Sequence, residues 1–178
     1  MSENTTGGQP TATKGSAPAR ERTGAQEPVD TAGVIVRLGG GRYALPMVAV
    51  AEVGRMPVLT RVPGLPAWVA GVANWRGRTL AVLDLRPLLH HDATGASSSA
   101  RLVVLHRDAL TVGLLTEGVH GVATLGDGRT EPPAATLSGS AAELIAGQLT
   151  DEAGPVGVLD VFAILRLREG LPRARRTA

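Results

Sequence analysis

The sequence contains no cysteine, which excludes disulfide bonds, cysteine-ligated metals and thiol catalysis. Aromatic residues make up only 2% of the chain, so the stacking platform that single-strand nucleic-acid binders need is not expected. No apolar run approaches the roughly 18 residues of a membrane span, and the N-terminus shows no apolar signal-peptide region. These absences predict a cytoplasmic protein that does not insert into the membrane.

What is present is enough apolar material for a sizeable core, since 43% of the residues are hydrophobic. The pI is about 9.9 although the formal net charge is only +2. Much of the basic excess lies in Arg173, Arg175 and Arg176, within a predicted basic C-terminal tail at 169–178. A solvated tail is the first interpretation, and nucleic-acid binding through arginines is the alternative function.

The two ends of the chain differ from its centre. Residues 1–31 are rich in Gly, Pro, Ser, Thr and Ala, and Met1 and Val29 are their only large apolar residues. Such a segment cannot bury enough surface to offset its ordering entropy, so a disordered N-terminal tail is predicted. A folded domain is expected over 32–168, with a Gly/Ala/Ser linker near 90–100.

The domain opens with a predicted strand–turn–strand, in which three glycines at 39–41 separate apolar residues at 34–38 and 43–45. The glycines do not form a phosphate loop, because no helix follows them and no Gly-Lys-Ser/Thr is present. A short helix or turn from Pro46 to about Ala49 is expected next, followed by a strand over 50–56.

A central hairpin is predicted from two apolar runs, 68–72 and 80–85, on either side of the polar turn 74–78. Its tip places Trp75 beside Arg76, and these residue types are enriched in protein-binding hot spots. Two interpretations remain open at this point. Trp75 and Arg76 could bind a partner, or Trp75 could pack on a neighbouring strand while Arg76 pairs with a carboxylate such as Glu52.

The second half repeats the β-rich pattern. Strands are predicted at 102–105, 110–115, 119–125 and 155–159, a short helix or irregular strand at 141–149, and a helix at 161–169 capped by Asp160. Residues 81–89 echo residues 157–165, since each is a predicted buried strand that ends in an Asp able to cap a short helical turn. The echo predicts two similar halves, each forming a small barrel.

Catalytic groups are scarce, so no enzyme activity, cofactor or metal site is predicted. No Ser lies in a nucleophile-elbow context. Asp84 and Asp160 occupy equivalent positions, but capping of the following turn accounts for both. The His90-His91-Asp92 run is expected to be a solvated loop, because no metal-ligand spacing recurs.

Four short motifs occur in this chain: GVANWRG at 71–77, VLDLR at 82–86, VAEV at 50–53 and VHGV at 119–122. Together they resemble the CheW-like family of bacterial adaptors, which couple chemoreceptors to the chemotaxis histidine kinase. The first two match the family's G-V-x-N-x-R-G turn and V-x-D-L-R strand end, the third resembles its V-x-E-[IV] segment, and the fourth resembles part of its second half. The turn departs from the family at Trp75, where an aliphatic residue is usual.

The resemblance implies a mostly β fold of two five-stranded SH3-like β-barrel subdomains packed along a hydrophobic seam, with short helices including one at the C-terminus. It implies that a chemoreceptor cytoplasmic tip binds the groove between the subdomains and that the kinase regulatory domain binds the first subdomain. The protein would then lie in receptor arrays at the inner face of the membrane. The partner-binding residues carried over are Val50, Glu52, Val53, Gly71, Val72, Asn74, Trp75, Arg76 and Gly77.

Overall fold

The computed structural model of the chain describes residues 32–92, 98–126 and 130–171. The predicted N-terminal tail, most of the basic C-terminal tail and the centre of the predicted linker lie outside these ranges. Ten strands are described: β1 Ala32–Leu38, β2 Gly41–Pro46, β3 Val50–Arg55, β4 Val69–Trp75, β5 Arg78–Leu83, β6 Arg101–Arg107, β7 Leu110–Thr116, β8 Gly118–Thr124, β9 Ile145–Asp151 and β10 Gly154–Leu159. Two α-helices, α1 Gly139–Leu144 and α2 Val161–Glu169, and a 3-10 helix at Met47–Ala49 complete the fold.

The strands form two five-stranded sheets, as predicted for a protein of two SH3-like β-barrel subdomains. The first sheet has the order β8-β1-β2-β10-β9, and the second has the order β3-β6-β7-β5-β4. Most neighbours are antiparallel, but β10 runs parallel to β2 and β5 runs parallel to β7. The two echoing segments begin within β5 and β10, and these strands occupy equivalent places, fourth in the order of each sheet.

The prediction that each half of the chain forms its own barrel is wrong. The first half contributes β1 and β2 to the first sheet but β3, β4 and β5 to the second. The second half does the reverse, with β6 and β7 in the second sheet and β8, β9 and β10 in the first. The chain first passes from one sheet to the other through the 3-10 helix Met47–Ala49. This helix contacts β1 of the first sheet and β6 of the second, and its Ala49 is buried.

The main core lies between the two sheets and is the hydrophobic seam that the resemblance implied. It combines Val36 and Leu45 of the first sheet with Leu83 and Val103 of the second, and Ile164 of α2 packs into the same cluster. Burial of these aliphatic side chains is the main force that holds the sheets together. A smaller apolar cluster lies within each sheet.

The ends of the helices follow the local sequence. The carboxylate of Asp160 accepts a hydrogen bond from the Ala163 N–H at 3.0 Å, which confirms the predicted N-cap of α2. The ambiguous segment 141–149 contains both predicted structures, because α1 ends at Leu144 and β9 begins at Ile145. Within the described ranges, no helix is long and apolar enough to cross a membrane.

Candidate functional site

The tip of the β4–β5 hairpin is tighter than predicted. Trp75 pairs with Arg78, so the turn consists of Arg76 and Gly77 alone. Their φ angles are 51° and 77°, as expected for a two-residue turn with positive φ at both positions. Asn74 Oδ1 accepts a hydrogen bond from the Gly77 N–H at 2.9 Å. Glycine adopts this conformation freely, whereas a residue with a Cβ such as Arg76 is strained there by about 1–2 kcal/mol.

Glu52 on β3 lies against this tip. Its Oε2 accepts hydrogen bonds from Arg76 Nε at 3.0 Å and from Trp75 Nε1 at 3.2 Å. Arg76 Nη2 lies 2.9 Å from the same oxygen. The structure therefore confirms the pairing of Arg76 with Glu52. The Arg76 side chain nevertheless keeps 71% of its surface exposed, and an exposed ion pair of this kind contributes only ~0–1 kcal/mol to stability.

Trp75 joins this exposed pair to the interior of the second sheet. Its ring is half-buried and packs against the apolar cluster that contains Ala73, Leu80 and Val82. The guanidinium carbon of Arg76 lies 5.5 Å from the centroid of the Trp75 ring, which is within the range of a cation–π interaction. The hairpin tip thus presents a charged group held by packing, stacking and hydrogen bonds.

The remaining predicted site residues divide between structural and exposed positions. Gly71 is buried with φ of 150°, and a Cβ there would lie 2.6 Å from the Thr60 carbonyl oxygen. This close approach allows Val72 and Thr60 to exchange two backbone hydrogen bonds of 2.8 and 2.9 Å. Val50 packs against the main core, whereas Val53 is 42% exposed. Gly71 therefore shapes the sheet and Val53 contributes to its surface.

Val53 lies in a cleft where the two sheets meet. In the described part of the chain, β3 and β8 are edge strands of their sheets, and both contribute residues to this cleft. The cleft has a volume of about 800 Å³, and its lining includes Arg37, Val53, Arg101, Glu117, Val119 and His120. Glu52 and Arg76 are not part of this lining, so the exposed residues among the predicted partner-binding set fall on two surfaces, the hairpin tip and the cleft.

A buried charged cluster beside the cleft was missed in the sequence. The Asp84 carboxylate accepts a hydrogen bond from the Arg86 backbone N–H at 3.1 Å, as expected for a capping residue. It also accepts hydrogen bonds from Arg86 Nε at 2.9 Å and from Arg86 Nη2 at 2.8 Å. The hydrogen bond to Asp84 raises the pKa of the buried Arg86. Glu117 Oε1 lies 3.4 Å from Arg86 Nη1 and accepts a hydrogen bond from the Gly39 N–H at 3.0 Å. The only sequence signal was the Asp-x-Arg spacing after β5.

The histidine run is not the simple solvated loop that the sequence predicted. His91 Nε2 lies 2.7 Å from the Tyr43 hydroxyl, and the two rings meet edge-on. Burial raises the pKa of Tyr43, and its hydroxyl can donate to His91 Nε2 when that nitrogen carries no proton. Gly39 is needed beside this contact, because a Cβ there would lie 2.2 Å from His91 Cβ. Among the described residues, no three His, Asp or Glu side chains are grouped so as to hold a metal ion.

Comparisons with known proteins agree with these features. Residues 32–169 match the family described as the CheW-like domain. The chain is 36% identical over 98 residues to the protein PilI of Pseudomonas aeruginosa, a match that covers 54% of this chain and 55% of PilI. It is 26% identical over 98 residues to the chemotaxis protein CheW of Bacillus subtilis, covering 55% of this chain and 63% of that protein. These two matches span 55% and 63% of the relatives' own lengths, less than two thirds in each case.

A solved structure has the same fold. The scaffolding protein TtCheW from Thermoanaerobacter tengcongensis superposes with a TM-score of 0.67, over 74% of this chain and 90% of that one. The two sequences are 22% identical in this alignment, so the likeness concerns the fold alone.

Proposed function

Since this chain belongs to the CheW-like domain family, we propose that it is a non-enzymatic adaptor that couples chemoreceptors to a chemotaxis-type histidine kinase. It would act in the cytoplasm, within receptor arrays at the inner face of the membrane. The observation that carries the proposal is the hairpin tip, where the family turn holds Arg76 exposed beside Glu52 and Trp75.

The tip has the physical properties of a protein-binding anchor. The Arg76 guanidinium is a rigid donor group that can bind carboxylates or main-chain carbonyls of a partner. Hairpin turns of this kind favour Asn, Asp or Gly where Arg76 stands. The pairing of Arg76 with Glu52 adds little to stability, so neither the turn nor the ion pair accounts for an arginine at this position. Strained residues of this kind concentrate at functional sites.

We assign the two proposed partners to the two surfaces. The kinase regulatory domain contacts the sheet that carries the hairpin, with Arg76 in the interface. The chemoreceptor cytoplasmic tip binds the cleft between the sheets, where Val53 and Val119 provide exposed apolar surface. The nucleic-acid alternative has no support in the matched family.

The proposal is tested by titrating the purified chain against two partners from the same genome, a chemoreceptor cytoplasmic fragment and a kinase regulatory domain. Arg76→Ala should weaken binding of the kinase regulatory domain by ~2 kcal/mol, which is about thirtyfold, and leave binding of the receptor fragment unchanged. Arg76→Lys should substitute poorly because it lacks the planar fork. The unfolding free energy of Arg76→Ala should change by no more than ~1 kcal/mol.

Arg168→Ala removes an exposed arginine from the last turn of α2 and is the matched control. It should bind both partners as the wild type does. If the wild-type chain binds neither partner, or if Arg76→Ala binds the kinase regulatory domain with unchanged affinity, the proposal is wrong.

A further inference from the structure

Trp75 touches both members of the Glu52–Arg76 pair. Its indole N–H donates to Glu52 Oε2 at 3.2 Å, and its ring lies below the Arg76 guanidinium at 5.5 Å from the centroid. The same oxygen of Glu52 also accepts a hydrogen bond from Arg76 Nε and lies 2.9 Å from Arg76 Nη2. Two nitrogens of Arg76 and the indole nitrogen therefore converge on one carboxylate oxygen.

This convergence matters because an exposed arginine does not hold one position by itself. The long side chain loses considerable rotamer entropy when it is fixed, and a solvated ion pair offsets little of that loss. Trp75 differs from Arg76 in being anchored, since its ring packs against the apolar cluster of the second sheet. An indole has only two side-chain torsions, so it can fix its neighbours at low entropic cost.

We propose that Trp75 is a positioning residue, which holds the Glu52 carboxylate and the Arg76 guanidinium in the orientation that a partner binds. The inference rests on the proposed adaptor function, because it assigns Trp75 a role in partner binding at the same hairpin tip. An aliphatic side chain at this position could fill the apolar space, but it could neither donate to Glu52 nor stack beneath Arg76. Trp75 therefore determines the affinity of this tip through Arg76.

The first test needs no partner. The chain has two tryptophans, Trp68 and Trp75, which give two indole N–H signals in a ¹H–¹⁵N spectrum. Trp68 packs against the main core, away from the apolar cluster that Trp75 contacts. Glu52→Gln should move the Trp75 indole signal and leave the Trp68 signal in place. An unmoved Trp75 signal would show that the indole does not hold Glu52 in solution.

The second test measures binding of the kinase regulatory domain. Trp75→Leu removes the donor and the ring face and should weaken binding about tenfold, whereas Trp75→Phe keeps a ring and should lose only about threefold. Trp68→Phe serves as the control for loss of an indole elsewhere and should bind as the wild type does. The partial rescue by Phe separates positioning from simple packing.

A double-mutant cycle decides whether Trp75 acts through Arg76. Arg76→Ala should weaken binding about thirtyfold in the wild type but severalfold less in the W75L background, because Arg76 is no longer held there. Unchanged affinity of W75L, or equal losses in the two backgrounds, would overturn the proposal. If the wild-type chain fails to bind the kinase domain, the adaptor function is wrong, and the response of the indole signal to Glu52→Gln still tests the positioning contact itself.

Discussion

The guanidinium of Arg86 donates two hydrogen bonds to the carboxylate of Asp84, at 2.9 and 2.8 Å, and both residues are buried. Glu117 brings a second carboxylate to the same arginine and binds the backbone of the β1–β2 turn through Gly39. The cluster therefore connects the end of β5 in the second sheet to the β1–β2 turn of the first. It joins the two sheets beside the cleft.

Breaking this cluster should strongly destabilise the protein. Arg86→Ala leaves the buried Asp84 carboxylate without its partner, and loss of one member of a buried pair costs about 3–5 kcal/mol. Urea unfolding should show this loss as a lower midpoint with an unchanged slope. The double variant Asp84→Ala/Arg86→Ala should cost less than the sum of the two single changes. A cost below about 1 kcal/mol for Arg86→Ala would mean that the cluster does not hold the sheets.

Gly71 should tolerate substitution less well than Gly77, although both have positive φ. A methyl group at Gly71 meets the Thr60 carbonyl oxygen at 2.6 Å, whereas nothing lies within 4 Å of the same group at Gly77. Gly77→Ala should therefore cost about 1 kcal/mol of backbone strain alone. Gly71→Ala should cost about 2 kcal/mol or more, because the Thr60–Val72 bridge must also shift. Chemical denaturation of the two variants compares them directly, and equal costs would contradict the proposed role of the close approach.

The ion pair between Arg42 and Asp151 should make stability depend on pH in the acid range. Arg42 donates two hydrogen bonds of 2.6 Å to the Asp151 carboxylate. These bonds are the main reason that the pKa of Asp151 lies below its ordinary value. A carboxyl with a lowered pKa stabilises the fold above its ordinary pKa, and this contribution is lost as the pH falls through the folded value. The wild type should thus exceed Asp151→Asn in stability at neutral pH.

That difference should close as the pH falls below about 4. Thermal unfolding of the two proteins between neutral pH and pH 2 measures it. Glu152→Gln removes the exposed carboxylate of the next residue and provides the control. A gap between the wild type and Asp151→Asn that stays constant down to the lowest pH would contradict the linkage.

Local structure was largely predictable because its causes lie close together in the sequence. The glycines after Leu38 require a turn, and Gly39 and Gly40 indeed have φ of 57° and 81°. Asp160 before an apolar helical pattern predicts an N-cap, which its hydrogen bond to Ala163 confirms. At the candidate site, the sequence named Glu52 as one carboxylate that could pair with Arg76, and the two are in contact.

The arrangement of the sheets was not predictable in this way. Backbone hydrogen bonds are the same for any strand partner. The echo between β5 and β10 therefore indicates that the two segments have similar local structure, but it does not indicate which sheet each strand joins. Arg86 follows a strand and precedes Pro87, a context that resembles a surface turn. Its second carboxylate partner, Glu117, lies 31 residues further along the chain. The contact between His91 and Tyr43 joins residues 48 positions apart, so it too could not be predicted from the local sequence.

The central claim is that this chain couples a receptor to a kinase, and the most direct measurement is kinase autophosphorylation in a reconstituted mixture. The mixture contains the kinase, a chemoreceptor cytoplasmic fragment and this chain, and each component is omitted in turn. We predict that the receptor fragment stimulates phosphorylation only when the chain is present, and that Arg76→Ala loses this stimulation while remaining folded. Receptor stimulation of the kinase that is the same with and without the chain would contradict the account.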